Sequence, residues 1–341
     1  DAVNSWHGLF FLNLIYLKRL IMRTSWFWDG QHHMKIVISG GTGLIGRALI
    51  RYWLKEKHEI TVLTRLAGES SEFGSHCRFS EWNPRTRKID LNVINGADAV
   101  INLAGAGIAN QRWSRDYKNL ILHSRLDTTN CLVESFGSVN EKPKVFISGS
   151  AVGIYGASLN ETFTENSPKG HDFLASVCSE WEDQALRAQA IGIRTCLIRT
   201  GIVLSPQGGT LEKILPIFRM GLGGPLGSGQ QWMSWIHIWD LVQLFNFCLT
   251  HIDINGAVNA SAPNPVTNLE FSKTLAKVLG RPCLVKAPSW ALRLALGEMA
   301  ELALTGQKVL PTRLQEHGFE FSFADINSAL TNLLKPQIMP S

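Results

Sequence analysis

The chain has 341 residues, 45% of them hydrophobic and 18% charged, which is enough apolar content for a sizeable core and excludes a disordered polypeptide. Its formal net charge of +5 comes from basic residues scattered along the sequence, with no like-charge run or basic-aromatic stripe, so nucleic acid is not indicated as a partner. Six cysteines, Cys77, Cys131, Cys178, Cys196, Cys248 and Cys283, lie far apart with no metal-ligand spacing, and read as reduced thiols of a cytoplasmic protein that holds no metal.

In chain order, residues 1–33 differ in character from the remainder of the chain. They hold the apolar run 8–17, then Lys18 and Arg19, with Trp6, Trp26 and Trp28 around it. The run is shorter than the ~18 residues a bilayer span needs, and its charge comes after rather than before it, unlike a secretory signal. An interfacial anchor is one reading. The other, which we adopt as the expectation, is that Met34 is the natural start and 1–33 is an N-terminal extension outside the fold, so that no membrane span is expected.

Residues 35–46, KIVISGGTGLIG, run from a buried strand through a glycine turn into a helix whose apolar positions Ile45, Ala48, Leu49, Tyr52 and Trp53 recur at helical spacing. Gly40 permits the tight turn, Gly43 removes a side chain where amides must meet a pyrophosphate, and Gly46 lets helix and sheet approach closely. Thr42, Leu44 and Ile45 complete this turn, at a helix N-terminus whose unpaired N–H groups suit an anion. After the next strand, 60–64, stands Arg65, with no carboxylate before Glu69. An arginine where NAD-binding units carry an acid favours a 2′-phosphate, hence NADP(H); the competing reading is a solvated surface arginine.

Three further apolar strands, 98–105, 144–150 and 193–203, end in small or hydroxyl residues and imply one crevice at the carboxyl edge of a doubly wound parallel sheet. Residues 206–209 then break away, and Gly221, Gly223, Gly224, Gly227 and Gly229 predict a mobile loop able to close over substrate. Residues 256–260 read as a strand rejoining the sheet, and Trp290, Leu292, Leu294 and Leu296 as a helix. Arg313 is either a contact for an anionic substrate or a solvated helix residue.

The segments SGGTGLIG, DAVINLAG, SGSAVGIYG, RTGIVLS and GSGQQWMSWIHIWDLV resemble the extended short-chain dehydrogenase/reductase superfamily of nucleotide-sugar epimerases and dehydratases. HSRLDTT, DFLASVCSEWE, PIFRMGLGGPLGSG and GQKVLPTRLQEHGFEFSF resemble its atypical branch, the epimerase family proteins or YfcH-like group, from Met34 almost to the C-terminus. The resemblance implies a Rossmann-type α/β fold with an NADP-binding domain over 34–205, rejoined by about 233–262, and a smaller C-terminal α/β substrate lobe over 206–232 and 263–341. It also implies that Thr64 and Arg65 hold the adenosine ribose phosphate and that Leu103, Ala104 and Gly105 line the adenine and ribose path. Ser148 and Val203 would lie beside the nicotinamide half. Arg125 would reach a phosphate or ribose, or else form an ordinary helix-surface ion pair. Homodimers through a helix pair occur in the superfamily.

The superfamily's chemistry uses a serine, a tyrosine and a lysine four residues after the tyrosine. Ser150 matches the serine, but the other two positions fall near Asp172 and Ser176, neither of the required type. Substitutes are Tyr155, as donor to a carbonyl or as cleft-wall packing, His237, as acid/base or as a structural hydrogen-bonding residue, and Asp172, as a base only if burial raises its pKa. Two functions are expected on this basis: an NADP(H)-dependent oxidoreductase or epimerase acting on an unidentified carbonyl or sugar-type small molecule, or a catalytically silent NADP(H)-binding redox sensor.

Overall fold

The strand segments are near-continuous apolar runs and apolar residues recur at helical spacing between them, which dictates helices packed on both faces of a sheet. The structure is a computed structural model describing residues 33–65, 72–74 and 77–335; the expectation for residues 1–32 lies outside the described residues. Strands β1 (Lys35–Ser39), β2 (Glu59–Thr64), β3 (Cys77–Glu81), β4 (Ala99–Asn102), β5 (Val145–Ala151), β6 (Arg194–Thr200) and β7 (Gly256–Ala260) form a seven-stranded sheet in the order β7-β6-β5-β4-β1-β2-β3, every pair parallel. The strand order reverses between β1 and β4, which opens a crevice at their carboxyl ends.

The longer helices are α1 (Leu44–Lys55), α2 (Arg115–Gly137), α3 (Phe173–Leu186), α4 (Gly209–Arg219), α5 (Ile238–Thr250), α6 (Asn268–Leu279), α7 (Ser289–Leu296) and α8 (Ile326–Leu334). Odd and even strand residues separate cleanly. Ile36, Ile38, Ile101, Ile147 and Ile198 bury one face against Leu49, Ile50 and Trp53 of α1 and Leu241 and Phe245 of α5. Val37, Val100, Phe146 and Leu197 bury the other against Leu132 and Phe136 of α2. Each such side chain contributes about 1.5–3 kcal/mol on burial. A further core joins Leu215 and Phe218 of α4, Phe271 and Leu275 of α6, and Ala329 and Leu330 of α8.

Two expectations are corrected. Residues 193–203 are not one strand: β6 ends at Thr200, opposite Ala260, and Ile202–Leu204 pairs instead with Trp235–His237 in a separate two-stranded sheet. Gly201 makes the break, because a Cβ there would enter the Ser234 carbonyl. The glycines of 221–229 are packed and pinned, so the segment is a strap and not a mobile lid. Gly223, Gly224, Gly227 and Gly229 are buried, Gly227 N–H donates to Ala287 O at 2.8 Å, and Leu226 N–H donates to Asn268 Oδ1 at 2.8 Å.

The glycine turn contains a testable contrast. A Cβ on Gly46 would meet the Gly40 carbonyl and the Gly41 backbone, whereas one on Gly43 meets only Gly40 O at 3.4 Å, with φ at −78°. Gly46→Ala lowers the unfolding free energy by about 1–3 kcal/mol as overpacking does, while Gly43→Ala leaves it within about 0.5 kcal/mol. Urea unfolding of the two variants checks the difference.

Candidate functional site

The turn after β1 is shaped by backbone approaching backbone. Gly40 has φ +72°, and a Cβ there would lie 2.6 Å from the Leu103 carbonyl carbon, so the tips of β1 and β4 meet where only glycine fits. Gly43 N–H closes the turn on Gly40 O at 3.1 Å. Helix α1 then starts at Gly43 with no side-chain cap and no acidic residue in its first turn, while Thr42 and Gly43 are exposed. Its first N–H groups therefore lack an intrahelical partner and face no competing carboxylate, which is the arrangement an anion requires.

Leu103, Ala104 and the exposed Gly105 continue from β4 along this turn. Their loop is fixed from below by α2. Thr128 Oγ1 donates to Ala104 O at 3.4 Å, Ser124 Oγ accepts from Ala106 N–H at 2.9 Å, and Arg125 Nη1 donates to Ala106 O at 3.1 Å and Ile121 O at 2.8 Å. The Arg125 guanidinium lies over Trp181, 5.2 Å from a ring centroid, and burial lowers its pKa. Arg125 thus holds the loop and stacks on α3, and among the described residues no carboxylate pairs with it, which corrects the surface ion-pair reading. Behind the turn, Ser39 Oγ lies 2.7 Å from Asn102 Oδ1 and accepts from Ala104 N–H at 3.3 Å, and Asn102 Nδ2 donates to Thr129 Oγ1 at 2.9 Å.

Other expected cofactor contacts vary. Half-buried Thr64 and exposed Arg65 end β2 beside the crevice, and Leu44 packs against Gly208 and Gly209, close to half-buried Val203. Half-buried Ile45 packs into the core. Ser148 is wholly enclosed, its hydroxyl donating to Gly149 O at 3.3 Å, so it offers no exposed group to the nicotinamide half.

The four catalytic candidates are not brought together, and each is engaged elsewhere. A buried network occupies two of them. Arg199 on β6 grips Glu182 on α3 through Nε–Oε1 and Nη2–Oε2, both 2.8 Å. Ser150 Oγ donates to Glu182 Oε1 at 2.7 Å, so the serine hydrogen is committed. Tyr155 Oη accepts from Arg199 Nη1 at 2.8 Å and donates to Asn259 Oδ1 at 2.6 Å. Burial, only partly opposed by Arg199, raises the Tyr155 pKa, the reverse of what an acid/base tyrosine needs. Burial alone would lower the Arg199 pKa, but the Glu182 bonds and charge outweigh it and the value rises. Glu165 extends the network by accepting from Asn259 N–H at 3.0 Å and Arg313 N–H at 3.3 Å.

His237 caps α5, its Nδ1 accepting from Trp239 N–H at 3.0 Å, and stacks on Phe323 with centroids 3.9 Å apart. Burial pushes its pKa down to about 4, partly offset by the Asn332 side chain. Exposed Asp172 caps α3, accepting from Ala175 N–H at 2.9 Å. Arg313 donates through Nη1 to Asn255 O at 2.9 Å and Ala257 O at 2.6 Å, holding β7 rather than facing a ligand. Helix α3 contains neither tyrosine nor lysine; its inward Trp181 ring fills the space beside Gly149. Sequence reading missed Glu182, Arg199, Glu165 and Asn259. The one local signal was a charged residue, Arg199, inside an otherwise buried strand.

The family model of the NAD dependent epimerase/dehydratase family matches residues 36–261, and that of a domain of unknown function (DUF1731) matches 287–333. The Arabidopsis thaliana epimerase family protein SDR39U1 homolog, chloroplastic, is 41% identical over 315 residues, covering 89% of this chain and 88% of its own length. The Bacillus subtilis epimerase family protein YfhF is 37% identical over 302 residues, 88% of this chain and 98% of that protein. The crystal structure of human epimerase family protein SDR39U1 (isoform 2) with NADPH has a TM-score of 0.79 at 32% identity, over 88% of this chain and 99% of that one. MoeE5 in complex with UDP-glucose and NAD shares the fold, with a TM-score of 0.70 at 17% identity over 88% of this chain and 97% of that one.

The engaged side chains give two expected outcomes. Glu182→Ala strands a buried guanidinium and lowers the unfolding free energy by about 3–5 kcal/mol, and adding Arg199→Met recovers most of the loss; urea unfolding of the single and double variants measures both. For His237 the folded pKa of about 4 lies below the unfolded value near 6.5. Its stabilising neutral form is therefore complete above about pH 6.5, and the contribution, about 3 kcal/mol, is lost as pH falls toward 4. His237→Asn, which keeps a capping acceptor, flattens that part of the profile of urea midpoint against pH.

Proposed function

The chain belongs to the NAD dependent epimerase/dehydratase family, and from that premise we propose that it binds NADP(H) and acts as an oxidoreductase or epimerase-like enzyme on a small carbonyl or sugar-type molecule. The observation that carries this reading is the uncapped, acid-free start of α1 at a turn where Gly40 and Gly46 are each required by backbone contact. That cradle fits a pyrophosphate, and NADPH in the related human structure supports the reading. The bound dinucleotide supplies or accepts the hydride. This chain's own residues do the rest of the binding: the amides beyond Gly43 meet the pyrophosphate, Thr64 and Arg65 take the 2′-phosphate, and the loop fixed by Arg125, Ser124 and Thr128 lines the ribose path.

Residues 34–205, rejoined by 233–262, form the dinucleotide half of this reading, and 206–232 with 263–341 the substrate half. The two halves touch where Lys213 of α4 donates to Ala109 O at 3.4 Å and where Lys118 of α2 pairs with Glu298 after α7, and they belong to one compact unit. Free thiols at all six cysteines accord with a reducing compartment such as the cytoplasm.

A second reading, NADP(H) binding without turnover, is favoured by a separate observation: the hydroxyls of Ser150 and Tyr155 are both spent inside the Glu182–Arg199 network. One experiment separates the two. The protein is titrated with NADPH and NADH, alone and as Arg65→Ser, then loaded with NADPH deuterated at both C4 positions and incubated with a metabolite extract. The expected result is tighter binding of NADPH, a loss of about 1.5–3 kcal/mol of that preference in the variant, and deuterium in one product by mass spectrometry. Equal affinity for the two nucleotides overturns the NADP(H) assignment. Tight NADPH binding with deuterium confined to the nucleotide overturns net hydride transfer to a product and selects the second reading or an epimerase that returns its hydride internally.

A further inference from the structure

Helix α7 has no buried residue, although it is rich in apolar side chains. Trp290 and Leu294 stand four apart on one of its faces and are 71% and 75% exposed. The segment leading into the helix adds Leu284, 82% exposed, and Val285; the three residues after α4 add Met220, 65% exposed, and Leu222. These belong to one surface, because the chain on either side is laced together. Ala287 N–H donates to Pro225 O at 3.0 Å, Gly227 N–H donates to Ala287 O at 2.8 Å, and Gly221 lies against Pro282. Single exposed apolar residues need no explanation, but six of them gathered on neighbouring segments do.

The charge around the patch is predominantly basic, since Glu298, just beyond α7, is paired with Lys118. Between Glu270 and Glu298 the sequence contains Lys273, Lys277, Arg281, Lys286 and Arg293 and no acidic residue. Arg219, Lys277, Arg281 and Lys286 are exposed beside the apolar residues. Arg293 is neutralised by Glu301 at 3.1 Å and adds nothing. The acids on the neighbouring helices, Glu212 and Glu270, sit in the first turns of α4 and α6, at the ends opposite Arg219 and Lys277.

We propose that this face docks on the surface of an anionic lipid bilayer, with Trp290, Leu294, Leu284 and Met220 at headgroup depth and the four basic side chains on lipid phosphates. Shape and charge select the occupant. Protruding tryptophan, leucine and methionine side chains flanked by lysine and arginine suit the membrane interface. A second copy seated symmetrically would bring the same basic residues against each other. The inference is independent of the cofactor reading.

The test is co-sedimentation of the full chain with vesicles of equimolar phosphatidylcholine and phosphatidylglycerol, against phosphatidylcholine alone. Residues 1–33 are present in every variant, so differences between variants report on this face. The wild type binds the mixed vesicles preferentially and releases as salt rises. Arg281→Glu with Lys286→Glu weakens binding by more than roughly 25-fold, and Leu284→Ser with Trp290→Ser and Leu294→Ser by at least about tenfold. Thermal unfolding of these surface variants stays at the wild-type value. Absence of wild-type binding, or variants that bind as the wild type does, overturns the proposal. So do variants that abolish self-association in light scattering while keeping their hold on vesicles, a result that assigns the face to a second copy.

Discussion

A guanidinium and a carboxylate buried together beside the crevice govern what the neighbouring polar groups can do. Arg199 and Glu182 are nearly inaccessible to water, with side chains 7% and 2% exposed, and an ion pair that deep survives only if nearly all its hydrogen-bonding capacity is met. Ser150, Tyr155 and the Glu165 carbonyl meet it. Asn259 then completes Tyr155, and the Glu165 carboxylate completes the Asn259 and Arg313 amides. The pair thereby ties β5, β6, β7, α3 and the segment at Arg313 into one unit. The same bonds engage the hydroxyls of Ser150 and Tyr155, the two hydroxyl candidates for chemistry at the β5 tip.

The two halves of the crevice are consequently built on opposite principles. On the β1 side the backbone does the shaping: glycines bring backbone together, and among the described residues no side chain caps the first turn of α1. On the β5 side, the hydroxyls of Ser150 and Tyr155 are saturated, and Trp181 fills the space that Gly149 leaves beside the strand. Between them, α2 fixes the loop after β4 by side-chain bonds from Ser124, Arg125 and Thr128. The geometry is strong for holding an anion-bearing nucleotide and sparing in groups able to move a proton.

Much of the first half was legible in the sequence because its requirements are local. A strand, three glycines and an amphipathic helix lie within 21 residues, and Gly40 and Gly46 answer contacts with the adjacent strand tip and with near neighbours in sequence. The parallel sheet was equally readable from its apolar runs. The network was not, because Ser150, Tyr155, Glu165, Glu182, Arg199 and Asn259 are gathered only by the fold, and no spacing relates them. The strand break at Gly201 depends on the approach of Ser234, and the glycines of 221–229 serve close packing against Leu269 and Val285 where composition alone suggested mobility. Arg313 and His237 illustrate the same limit: residue type suggested chemistry, while partners supplied by distant backbone assigned them to structure.

Helix α3 shows what this exchange does to reactivity. A tyrosine works as an acid near neutral pH only when a fixed cation lowers its pKa in an open site. Here the cation, Arg199, does sit on a tyrosine, but it is neutralised by Glu182, and burial drives the Tyr155 pKa upward instead. His237, whose ordinary pKa suits it to neutral chemistry, is carried down to about 4 by the same cause. Burial has thus moved the tyrosine and the histidine away from neutrality in the directions that disable each. Neither side chain is therefore set by its surroundings to exchange protons near neutral pH.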